Sequence, residues 1–89
     1  MNAQAAESTE DSRLARRASQ GDAAAFSQLF DAHFSFVRKV ARTLGTPDAE
    51  LDDVAQEAFV IAHRQLHRFE TGRFSTWLYR ITSNLVANR

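Results

Sequence analysis

Trp77, Ile81, Asn84 and Asn88 recur at i, i+4, i+7 and i+11 near the end of the chain, a spacing that places them on one helix face. Along that stripe the chemistry turns from apolar to amide, with Arg73 and Arg80 on the same side. Asn is a mediocre helix former and is costly to bury without partners, so two in register favour a wet groove or a ligand. Asn amides can hydrogen-bond base edges and Arg can pair with phosphates. Aromatic rings such as Phe69 and Phe74 can stack on an unpaired base. The expected arrangement is a pocket. The loop Phe69–Phe74 folds over the first half of this helix as an aromatic wall, Asn84 reads a base edge, and Arg lies at the rim. The plain alternative, Asn side chains on a solvated helix surface, stays open at this level.

A second constellation lies upstream. On a wheel at 100° per residue, Asp53, Gln56, Glu57, Val60 and Arg64 share the face opposite an apolar stripe. A single exposed Val is ordinary. A Val ringed by acids and an amide also has the anatomy of a helix-docking interface, an apolar anchor inside a polar rim.

Other chemistry finds little support. His63 and His67 have the i, i+4 spacing that can hold a metal, but the nearby acids fall elsewhere on the wheel and there is no Cys. No Ser-His-Asp or Cys-His set and no Gly-rich phosphate loop can be drawn, so neither an enzyme nor a bound metal or cofactor is expected.

The elements that must position these residues are all helical. A short first helix is expected from Asp11 or Ser12 to about Gln20, stopped by Gly21. Asp22 caps a long second helix to Leu44, whose stripe is Phe26, Leu29, Phe30, Phe34, Val37, Val40, Ala41 and Leu44. Gly45 ends it and Thr46-Pro47 opens a turn. A third helix buries Leu51, Val54, Ala55, Ala58, Phe59, Ala62 and Leu66. After a loop from Arg68 to Phe74, a fourth helix starts near Ser75 as a capping residue and buries Trp77, Leu78, Ile81 and Leu85. The fold class is therefore all-α, a compact bundle of three main helices plus a short N-terminal one, its short connections implying antiparallel neighbours. The last helix still runs at Arg89, as in a fragment cut at or inside a domain edge.

With 89 residues one domain is expected, over 11–89, behind a disordered lead-in at 1–10. The net charge of zero hides an asymmetry. Residues 46–62 hold five acids and no base, whereas 63–89 hold five Arg and a single acid, Glu70. That split fits two different partners, the second anionic, or simply two solvated faces. The absence of Cys fits a reducing, cytosolic setting. No apolar run approaches the roughly 18 residues of a membrane span, and the first residues lack the pattern of a secretory signal.

At these residues the chain resembles bacterial RNA polymerase sigma factors of the extracytoplasmic-function group. Asp53-Val54-Ala55-Gln56-Glu57-Ala58-Phe59-Val60 looks like their core-binding helix. Thr76-Trp77-Leu78-Tyr79-Arg80-Ile81, followed by Asn84, looks like their promoter-melting and recognition helix. The interval between them also fits, and the likeness spans about Arg13–Arg89. It implies the second conserved region of a sigma factor, docking on the clamp coiled coil of the polymerase largest subunit through Asp53, Gln56, Glu57, Val60 and Arg64. It also implies recognition and melting of the minus-ten element, with capture of a flipped non-template base. The residues expected at DNA are Phe69, Arg73, Phe74, Ser75, Thr76, Arg80, Ile81, Asn84 and Asn88. An anti-sigma factor is a further implied partner. His63 departs from the aromatic usual in the family, and Asn88 stands where an acid is common. The family's C-terminal helix-turn-helix domain is missing from this sequence. Two other classes remain: a stand-alone helical regulator reading duplex DNA with its last helix, and a pure protein-interaction bundle.

Overall fold

The computed structural model describes residues 3–70 and 72–89, with side chains from Glu10 onward. Four α-helices form it: α1 (Ala3–Ser19), α2 (Ala23–Thr43), α3 (Leu51–Arg64) and α4 (Phe74–Ala87). Short 3-10 turns at Asp48–Glu50 and Leu66–Arg68 lead into α3 and out of it. There is no strand among the described residues, and no described helix is long and apolar enough to cross a membrane.

The local signals explain most boundaries. Asp22 caps α2, its carboxylate accepting from the Ala25 N–H at 3.1 Å and from Arg17 at 2.8 Å. These partners, the Ala25 bond first, hold the Asp22 carboxyl below its usual value near 3.8. Gly21 stands at φ 98° just after α1, and Gly45 at φ 101° just after α2, a left-handed conformation that side chains with a Cβ resist.

α2 lies at the centre and packs against α1, α3 and α4. Leu29 and Val37 of α2, Leu51 and Val54 of α3, and Phe74 and Leu78 of α4 are all fully buried. Leu14, Ala15 and Ala18 bring α1 onto the same core. Thr82, also fully buried, satisfies its hydroxyl by donating to the Leu78 carbonyl at 2.8 Å.

α1 and α2 are also joined by a polar pair that hydrophobic patterning does not reveal. His33 Nε2 lies 3.0 Å from Asp11 Oδ2, and both residues are buried. Such a pair persists inside a core because each group satisfies the other.

Several boundaries differ from expectation. α1 begins at Ala3 rather than at Asp11 or Ser12, through residues rich in the good helix formers Ala, Gln and Glu. Of the anticipated lead-in, residues 1 and 2 lie outside the described residues. α4 begins at Phe74 with Arg73 in the capping position and no side-chain cap, so Ser75 is inside the helix. The same helix ends at Ala87 rather than running through Arg89. Asn88 is its C-terminal cap, donating from Nδ2 to the Asn84 carbonyl at 2.7 Å. Leu44 is 37% exposed instead of buried, because it follows the last turn of α2.

Candidate docking face and nucleic-acid interface

Asp53, Gln56, Glu57, Val60 and Arg64 all stand exposed on α3, because Leu51, Val54, Ala55, Ala58, Phe59 and Ala62 take its other face into the core. Val60 is 49% exposed. It is not isolated. It lines a groove of about 490 Å³ with Phe26, Phe30, Gln56, Phe59, His63 and Arg64. The α2 rings were legible only as core. Their place on a groove follows from how α2 lies against α3, which periodicity within one helix does not specify. His63 itself packs edge-on against Phe26, ring centroids 4.8 Å apart.

Most acids of α3 and of the turn before it have cationic partners. Arg38 meets Asp52 at 2.8 Å and Arg42 approaches Asp48 at 3.6 Å. Arg89 spans Glu50 at 3.2 Å and Glu57 at 3.3 Å. These exposed pairs are each worth about 0–1 kcal/mol. Asp53 forms no ion pair among the described residues and stands exposed two turns before Val60 on the same face.

The second interface departs further from expectation. Phe74 is fully buried, its ring 5.3 Å from both Phe69 and His33 and 5.5 Å from Trp77. It therefore backs the loop from inside and offers no face to a base, a correction to its expected DNA contact. Phe69 is half-buried, 5.4 Å from Trp77, and keeps only part of its ring in reach. Ile81 is 7% exposed and Ser75 half-buried, so neither stands out as a surface contact. Arg73, Thr76, Arg80 and Asn84 are exposed along α4 as anticipated.

Among the described residues, the groove that Asn84 lines has no aromatic wall. Asn84 lines a groove of about 310 Å³ between α3 and α4, whose other residues are Ile61, Gln65, Ile81, Leu85 and Asn88. The Asn88 amide is partly committed to capping. Gln65 carries no signal in the sequence pattern, since it follows the last turn of α3 and only antiparallel packing brings it opposite α4.

His67 falls on the 3-10 turn rather than on α3, so it does not continue a helical register from His63. Among the described residues no cluster of three or more His, Cys, Asp or Glu could hold a metal ion.

With this geometry in hand, the relatives are informative. Residues 29–89 match the family Sigma-70 region 2. The RNA polymerase sigma factor NccH of Alcaligenes xylosoxydans xylosoxydans is 41% identical over 75 residues, covering 83% of this chain and 40% of its own length. The ECF RNA polymerase sigma-E factor of Escherichia coli K12 is 38% identical over 81 residues, covering 88% of this chain and 41% of its own length. Among solved structures, an engineered region 2 of sigmaE in complex with GTAAAA superposes with a TM-score of 0.81 at 38% identity, covering 88% of this chain and 82% of that one. CnrH in complex with the cytosolic domain of CnrY gives 0.80 at 36% identity, covering 89% and 52%.

The four-helix domain, with an acid-bearing α3 and an Arg- and Asn-bearing α4, is that of region 2 of the sigma factors. The chain belongs to the sigma-70 region 2 family, within the extracytoplasmic-function sigma factors. It spans about two-fifths of the length of the curated relatives it matches.

Proposed function

We propose that this domain docks on core RNA polymerase through the α3 face and opens promoter DNA through α4. Asp53, Gln56, Glu57, Val60 and Arg64 meet the clamp coiled coil of the largest subunit, Val60 and the Phe-floored groove accepting an apolar side chain. Asp53 supplies orientation and on-rate more than bulk affinity. Arg73, Thr76 and Arg80 follow the phosphates of the minus-ten element while Asn84 reads a captured non-template base. Unstacking a base costs a few kcal/mol, which contacts in a groove can offset.

The observation that carries this reading is the separation of two exposed faces. Exposed Asp53 shares the outer face of α3 with Val60, which lines an apolar groove, and exposed Arg80 accompanies Asn84 on α4. An anti-sigma factor is a further partner, by analogy with CnrH and the cytosolic domain of CnrY, and a cytoplasmic location follows from that role. Transcription by the full-length factor over a panel of minus-ten substitutions tests the DNA half. Asn84→Ala is expected to lower transcription and relax preference at one position, by about 1–3 kcal/mol of discrimination. An unchanged level and ranking across the panel would remove Asn84 as a base reader.

A further inference from the structure

The groove between α3 and α4 holds three amides, Gln65, Asn84 and Asn88, over an aliphatic floor of Ile61, Ile81 and Leu85. Asn88 is engaged, its Nδ2 donating to the Asn84 carbonyl. The Gln65 and Asn84 side chains make no hydrogen bond to another described residue. Gln65 is nevertheless anchored. Its N–H donates to the carbonyls of Ile61 at 3.0 Å and Ala62 at 3.2 Å, and its own carbonyl accepts from the Arg68 N–H at 2.8 Å. A half-buried side chain thus rises from a fixed point at the end of α3, across the groove from Asn84.

Resting on the reading that α4 faces opened DNA, we propose that Gln65 joins Asn84 as a second specificity-determining amide. Together they hold an unpaired adenine between α3 and α4. An amide carries a donor and an acceptor side by side, which match the N7 acceptor and N6 amino donor of adenine. Guanine presents acceptors at both N7 and O6, so it faces an amide oxygen with another oxygen. A second amide from the opposite wall fixes the base in the groove and can engage its remaining polar edge. Ile61, Ile81 and Leu85 lie against the base by apolar contact rather than ring stacking. Arg80 stands exposed one helical turn before Asn84 on α4, where a cation can pair with the phosphate of the same nucleotide.

The test uses the 89-residue chain and the labelled hexanucleotide GTAAAA, the sequence bound by the sigmaE relative. Each adenine is replaced in turn by guanine, and affinities are read by fluorescence anisotropy. The parent is expected to lose at least about fivefold in affinity at one adenine. Gln65→Leu, which keeps the bulk, should erase most of that discrimination at the same position that Asn84→Ala affects, with the thermal midpoint unchanged. Gln65→Asn should retain part of it. A Gln65→Leu protein that keeps the parent's ranking overturns the inference, and so does an equal loss on every oligonucleotide. In either case binding by the parent leaves the DNA-facing role of α4 standing. A parent that binds none of the hexanucleotides removes both.

Discussion

The α3 face and the α4 face of this domain are built by different rules. On α3, one helical period separates a continuous apolar stripe from Asp53, Gln56, Glu57, Val60 and Arg64, and each of those side chains ends up outside. Around α4 the loop and helix share their aromatic residues with the core. Phe74 is buried completely and Phe69 in part, while Arg73, Thr76, Arg80, Asn84 and Asn88 stand exposed. A surface set by local periodicity can change residue by residue with little consequence for the fold. A surface set by tertiary packing cannot.

That contrast can be broken most decisively at Phe74. Phe74→Ala should lower stability by about 3–5 kcal/mol, and Trp77→Ala by less, because Trp77 is only half-buried. Chemical denaturation midpoints in the opposite order would mean that the loop is held by Trp77 and that Phe74 is free to meet DNA. The buried pair between α1 and α2 comes next. Asp11→Ala removes the partner of a histidine that is 5% exposed and should cost roughly 1–3 kcal/mol, with Asp11→Asn losing less. Equal midpoints for Asp11→Ala and the parent would show that the pair is not formed.

Smaller effects sharpen the same comparison. Arg80→Ala should weaken oligonucleotide binding across all sequences and reduce the salt slope by about one. A loss confined to one base position would make Arg80 a reader rather than a phosphate contact. Val60→Ala should leave stability within about 0.5 kcal/mol of the parent while weakening the bond to core polymerase. Asp22 is the gentlest probe. Its lowered folded value makes its contribution complete above about pH 3.8, fading as pH falls through the lowered value. Asp22→Asn, which keeps an acceptor for the cap, should flatten that acid limb of the stability curve. An identical acid limb in both proteins would assign it to other carboxylates.

The two faces also differ in how far they were legible. The helical fold, the Asp22 cap, the stops at Gly21 and Gly45 and the whole α3 face follow from local propensity and period. Three features did not. Asp11 and His33 lie 22 residues apart, and a buried polar pair leaves no mark on a hydrophobic pattern. Phe69 and Phe74 carry the residue type for base stacking and for core filling alike, and only the tertiary position of the loop decides between them. Gln65 gains its place from α4 lying alongside α3. Asn84 lies on a groove whose opposing wall comes from the end of α3 rather than from the expected loop Phe69–Phe74.

The central claim is that polymerase docking and DNA reading occupy separate faces. Asp53→Arg tests it most directly, since Asp53 forms no ion pair among the described residues and stands exposed on α3 rather than on α4. Affinity for core polymerase and affinity for GTAAAA should be measured on the same purified variant. Two separate faces predict a loss toward polymerase with the hexanucleotide affinity unchanged. Undiminished polymerase binding, or a parallel loss of both, would contradict them.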